Sequence, residues 1–134
     1  MAIIKIGNLH FVFTIQSPLF VLKREIEPEL SFTHMTDQML KVTLGSPEKK
    51  VQLLEHAQID FEALKRTIFE GVNELNPNCK EITIDLSNVE NLDNAGLSFL
   101  CSLVNNDERK VVLFANPQPL IKDKMKSFTD LKVF

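Results

Sequence analysis

The chain has no tryptophan and no tyrosine, so its ten phenylalanines are its only aromatic side chains. It is also poor in the groups on which most site chemistry rests. Four glycines, none grouped, leave no Gly-rich loop to cradle a phosphate or a cofactor. Two cysteines, Cys79 and Cys101, fit no metal spacing and read as reduced and structural. The three histidines, His10, His34 and His56, have no neighbour at ligand or triad spacing and read as surface, edge or loop residues. No serine sits in a nucleophile elbow. Positive charge is not in excess: 15 Lys and Arg against 18 Asp and Glu give a net charge of -3. With no basic stripe carrying interleaved aromatics, a nucleic-acid partner is not expected. Apolar runs are short as well. Between Met1 and Leu22, the residues Lys5, His10, Gln16 and Pro18 interrupt the run before about 20 apolar residues accumulate, and no small-residue cleavage site follows. The expectation is a cytoplasmic protein with no membrane span and no cofactor or metal, one that binds rather than catalyses.

What is present is apolar patterning. At 134 residues and 44% hydrophobic content the chain is long enough for one core. The stretch from Cys79 to Lys110 organises it. In Glu81-Ile82-Thr83-Ile84-Asp85-Leu86 the apolar residues alternate, predicting a strand with one well-buried side. Ser87 to Leu92 is too polar and short for a helix and reads as a loop. Asn94 to Val104 is apolar around most of a helical wheel, predicting a largely buried helix. Asp93 is placed to cap it, accepting from unpaired N–H groups of the first turn.

Upstream, Ala2 to Ile6 and Leu9 to Ile15 read as strands joined by Gly7-Asn8, a dipeptide suited to a two-residue hairpin. Leu19 to Leu22 reads as a third short strand. Between Lys23 and Asp37 the pattern fades; Glu25, Glu27, Pro28 and Glu29 read as an exposed connection, and Phe32 and Met35 are not placed. Gln38 to Leu44 and Lys50 to Leu54, about a turn at Gly45 to Glu48, read as a hairpin. Phe61, Leu64, Ile68, Val72 and Leu75 form one helical stripe, capped by Asp60 and ended by Asn76-Pro77-Asn78. Lys110 to Ala115 reads as a strand covered on both faces. Asn116 to Pro119 opens a last short helix, Leu120 to Phe128, with Lys122, Lys124 and Lys126 toward solvent. Residues 1–36 are expected to be a strand-rich extension packed on the same domain as residues 37–134.

Ile84-Asp85-Leu86-Ser87, then Val89, then Asp93-Asn94-Ala95-Gly96-Leu97 resembles the core signature of STAS domains, the module shared by bacterial anti-sigma-factor antagonists and the C-terminal part of sulfate transporters. Ala57 to Asp60, which resembles the strand end before the family's first helix, and Phe128 to Phe134 extend the resemblance. It implies an α/β fold, a STAS-like mixed β-sheet packed against helices, here with extra N-terminal strands and right-handed crossovers. It also implies a regulatory protein-protein interaction module docking through Asp93, Asn94, Ala95, Gly96, Leu97 and Ser98, with Ser87 in the preceding loop. In the family the residue after the Asp is usually a phosphorylated Ser. Here it is Asn94, followed by Ala95, so the usual switch has no hydroxyl. Ser98 and Ser102, on a helix expected to be buried, are poor substitutes; Ser87, in the loop, is a better one. The implied partner is anti-sigma-factor or serine-kinase-like. Two alternatives stay open: an accessory subunit of a membrane lipid or anion transport complex, and a small-ligand or nucleotide-binding domain. A homodimer through an exposed N-terminal strand is a further expectation.

Overall fold

A computed structural model describes the backbone of residues 2–6, 9–16, 19–24, 28–57 and 59–127, and the side chains of residues 28–57 and 59–127. Among the described residues, nine strands and three helices follow one another as β1 (Ala2–Ile6), β2 (Leu9–Gln16), β3 (Leu19–Arg24), β4 (Leu30–Thr36), β5 (Met39–Leu44), β6 (Val51–Leu53), α1 (Phe61–Leu75), β7 (Glu81–Asp85), β8 (Val89–Leu92), α2 (Asn94–Val104), β9 (Val111–Ala115) and α3 (Pro119–Met125), with one 3₁₀ turn at Glu55–Ala57.

Seven of the strands form one sheet in the order β1-β2-β3-β4-β5-β7-β9. The first five are an antiparallel meander; β5-β7 and β7-β9 are parallel, as strands joined through helices must be. The alternation in β5 and β7 does what the pattern requires. Leu40, Val42, Leu44, Ile82 and Ile84 are fully buried on the helix side, while Lys41, Thr43 and Thr83 are half-buried on the other. The mixed sheet with helices against it is the expected α/β architecture.

Several local expectations are corrected. The weakly patterned stretch before Asp37 contains β4, whose Phe32 is 0% exposed; of the presumed exposed connection, Pro28 is buried and Glu29 half-buried. Sequence pattern misses β4 because the buried alternation of Leu30 and Phe32 stops at the polar His34, and the register with β5 shifts between His34 and Thr36. Strands β5 and β6 do not form a hairpin. After Gly45, held at φ 78° with its N–H on the Glu29 carbonyl at 2.7 Å, the chain leaves the main sheet. β6 instead pairs in parallel with β8, which lies inside the expected 87–92 loop. Val89 and Leu92 are fully buried and Glu90 and Asn91 exposed, so β8 shows no period-two signal. Where a strand end was expected before α1, the chain makes the 3₁₀ turn. Strand β9 is the sheet's edge and is buried on one face only, with Val111 55% exposed. The last helix ends at Met125. Gly7-Asn8, Ser17-Pro18, Glu25 and Glu27, Gln58 and Phe128 to Phe134 lie outside the described residues.

Helix α1 starts where Asp60 accepts from the Ala63 N–H at 3.0 Å. It ends at Asn76, whose side-chain amide donates to the Asp37 carbonyl at 2.5 Å. Its buried face lies on β4, and there Gly71 meets the Phe32 ring: a Cβ at Gly71 would stand 2.5 Å from Phe32 Cζ and 2.8 Å from Cε1. A fully buried ring has nowhere to swing. Gly71→Ala should therefore destabilise the domain by about 1–2 kcal/mol, overpacking outweighing the roughly 1 kcal/mol of helix propensity that alanine restores. Phe32→Leu added to it should recover part of that loss, read as non-additivity of the urea midpoints in a double-mutant cycle.

Candidate functional site

Strand β7 delivers the chain to the site. Asp85, buried at its end, accepts from the Ser87 N–H at 2.9 Å and so closes the turn that follows; Lys41 of the neighbouring strand lies 3.9 Å away. Strand β8 then runs to Asp93, the residue before α2. Both oxygens of that carboxylate are used. Asp93 Oδ1 accepts from the Gly96 N–H at 3.0 Å, capping α2 as expected, and Oδ2 accepts from the Glu55 N–H at 2.9 Å, pinning the 3₁₀ turn that leads to α1. The Asp93 N–H meanwhile donates to the Leu53 carbonyl at 3.3 Å. These bonds to the charged form, Glu55 first and Gly96 second, hold the Asp93 carboxyl below its ordinary value of 3.8.

Gly96 has a packing reason to be glycine. A Cβ there would overlap the Leu53 carbonyl oxygen and stand 2.6 Å from Leu92 Cδ1. The first turn of α2 is thus seated directly on β6 and β8, closer than any side chain permits. Leu97, 5% exposed, anchors the same turn in the core.

The expected site residues divide three ways. Gly96 and Leu97 are buried, Asp93 and Ala95 half-buried, and Asn94 and Ser98 exposed. The exposure of Ser98 corrects the expectation of a buried helix: Leu97, Phe99, Leu100 and Leu103 face the core, but Ala95, Ser98 and Ser102 follow one another along an open side at helical spacing. Ser102 is half-buried and donates to the Phe99 carbonyl at 2.6 Å. Ser87 is half-buried in its turn, with its carbonyl accepting from Gln118 Nε2 at 3.4 Å.

Two depressions flank the start of α2. One, of about 670 Å³, is open and holds Asn94 and Leu97 beside Asn91 and Lys124. Ser87 is not among the residues that line it. The other, of about 720 Å³, lies between α1 and α2 and takes in Ala95 and Ser98. Lys124, expected only as a solvent lysine, carries no signal in the sequence for a place beside the site. Its Nζ donates to the Leu92 carbonyl at 2.7 Å and ties α3 to the strand leading into the site.

Taken together, a mixed sheet, helices against it and a carboxylate-capped helix following a short parallel strand define a STAS-like α/β fold. No family model and no curated protein matches the chain. Eleven chains of solved structures do. Among them is the anti-sigma factor antagonist SpoIIAA in its unphosphorylated form, with a TM-score of 0.52 and 13% identity over 78% of this chain and 86% of that one. At that identity the likeness is one of fold. No helix among the described residues is long and apolar enough to cross a membrane.

Two outcomes follow for the site. Gly96→Ala should destabilise the domain by about 1–3 kcal/mol, since the opposing atom is backbone and cannot rotate away; urea unfolding measures it. The Asp93 contribution has a definite sign in pH. Because its folded-state value is lowered, the stabilisation is complete above the ordinary value of 3.8 and is lost as pH falls through the lowered one. The stability gap between the native chain and Asp93→Asn should therefore narrow below pH 3.8, and amide exchange at Glu55 and Gly96 should accelerate together in the variant.

Proposed function

We propose that this chain is a non-catalytic protein-protein interaction module of the anti-sigma-factor-antagonist type. Its partner, serine-kinase-like in character, docks on the segment Asp93 to Ser98 with Ser87 at its flank. The observation that carries this reading is the contrast within one turn: Asn94 stands exposed next to Asp93, Gly96 and Leu97, which are held by hydrogen bonds and close packing. A side chain presented on so rigid a base meets a partner with little ordering cost.

The resemblance to STAS signatures puts Asn94 where a phosphorylated serine usually stands. A phosphate there adds nearly two negative charges beside Asp93 and removes a docking surface by repulsion and bulk. Asn94 has no hydroxyl to modify, so the module stays in its binding-competent state. The two exposed or half-exposed hydroxyls nearby, Ser87 and Ser98, take no part in a switch on this reading.

The test uses the purified full chain to retain partners from its host, identified by mass spectrometry and then measured as purified pairs. Asn94→Asp should weaken the retained partner by about tenfold, near 1.4 kcal/mol. Asn94→Ser, incubated with that partner and ATP, should gain one phosphate at position 94, while the native chain gains none. Equal affinity of the native chain and Asn94→Asp overturns the docking site. Phosphate found on Ser87 or Ser98 of the native chain overturns the fixed state.

A further inference from the structure

The main sheet is wider than its helical cover. Among the described residues α1 packs on β4, α2 on β8 and β9, and α3 on β8, whereas β1, β2 and β3 pack to that extent only on strands. Strand register carries one face of the sheet across this gap. Ala2 lies opposite Phe13, Phe13 opposite Leu22, Leu22 opposite Phe32 and Phe32 opposite Val42, and residues opposite one another share a face. Phe32 and Val42 are fully buried on the helix side. The helix-side face therefore continues over β1, β2 and β3, beyond the main helix contacts.

The residues placed there are apolar almost throughout. Ile4, Phe11, Phe13, Ile15, Phe20 and Leu22 are on this face, and its one charged residue is Arg24, at the end of β3. The opposite face of the same strands takes Lys5, His10, Thr14, Gln16 and Lys23. Strands patterned in this way have one face suited to water and one to a core. The apolar face is three strands wide, about 14 Å, and roughly 17–27 Å long. Three phenyl rings that bury about 150 Å² or more each, with aliphatic positions between them, bring it to about 600 Å², half of the smallest stable interface of about 1,200 Å². Two such faces therefore suffice for a stable dimer.

Residues 128–134, fully extended, reach about 25 Å, the length of one strand, and do not close a face three strands wide. A foreign surface is selected by an order of charges and donors, and this face, with one charge at its end, offers none to read. Its match is its own counterpart, apolar in the same way, equal in size and present in equal amount. Sheets packed face to face lie about 10 Å apart with strands about 30° from aligned, a geometry that two copies reach about a twofold axis.

We propose that the chain is a homodimer in which the apolar face of β1, β2 and β3 packs on the same face of a second copy. Pairing of two β1 edges, by contrast, lengthens the sheet and leaves this face as it is. Helix α2 lies toward the other end of the strand order, on β8 and β9, so the Asp93 to Ser98 segment of each copy stays clear of the interface. The dimer presents two such segments, and it stands or falls separately from the Asn94 reading.

Sedimentation of the full chain tests it. At about 10 µM the chain should run at twice its 15.3 kDa. Phe11→Lys/Phe13→Lys, on the apolar face, should weaken dimerisation by about a hundredfold or more, whereas Val12→Lys/Thr14→Lys, on the same strand but the opposite face, should change it less than about threefold. A second measurement needs no charge on the face and decides alone if the first pair of lysines prevents folding. In a mixture of light- and heavy-nitrogen chains carrying p-benzoylphenylalanine at position 13, irradiation should join position 13 to residues 2–24 of the other isotope. The same group at position 14 should not form that link. A single species of 15.3 kDa at about 100 µM overturns the proposal. So does a dimer that Phe11→Lys/Phe13→Lys leaves intact, which assigns the contact to the β1 edge. Crosslinks from position 13 that stay within one chain also overturn it, assigning the face to an element of its own chain.

Discussion

One carboxylate links the two halves of this domain's working end. Asp93 caps α2 with one oxygen and holds the 3₁₀ turn before α1 with the other. The start of α2 and the approach to α1 are separated by nearly forty residues of chain, and no continuous element joins them. With Asp93 between them, the loops that enter both helices become one rigid unit. The approach of Gly96 to Leu53 completes it, since α2 then rests on the small parallel pair β6-β8 with no side chain between. Polar and steric requirements coincide in a single turn.

From that junction the surrounding features follow in order. Strand β8 is short because it needs only to carry the chain from the Asp85 turn to Asp93. Lys124 fastens α3 across its end. Helix α1, entering from the pinned turn, lies on β4 where Gly71 accommodates Phe32, and α2 lies beside it closely enough for Phe61 and Phe99 to stack. The groove between the helices is therefore a product of where Asp93 places their two beginnings. Function, on the reading proposed, uses surfaces that the junction exposes and not the junction itself.

Cys79 is a free cysteine enclosed by the fold. It is buried after α1, and burial pushes its thiol up from 9.0, with the Lys110 ammonium acting in the opposite direction. A protonated, enclosed thiol packs as a small apolar group. Lys110 meanwhile donates to the Cys79 carbonyl at 2.6 Å, a structural use of a charge at the edge of the sheet.

The amino-acid sequence by itself determined the elements whose pattern is local. Alternation at Ile82, Ile84 and Leu86 marks β7, the stripe through Leu64, Ile68 and Val72 marks α1, and Asp60 and Asp93 mark helix starts, because capping and periodicity are decided within a few residues. It also supplied a fold expectation through the Asp-Leu-Ser and Asp-x-x-Gly-Leu runs. Tertiary structure alone decided the rest. That β6 leaves the main sheet for β8, that β9 is an edge, that Ser98 is open while its neighbour Phe99 is buried, and that the second oxygen of Asp93 serves Glu55 are all consequences of which distant surfaces meet. Strand pairing and helix-face burial depend on partners far along the chain, and a residue's own neighbours in sequence carry no record of them.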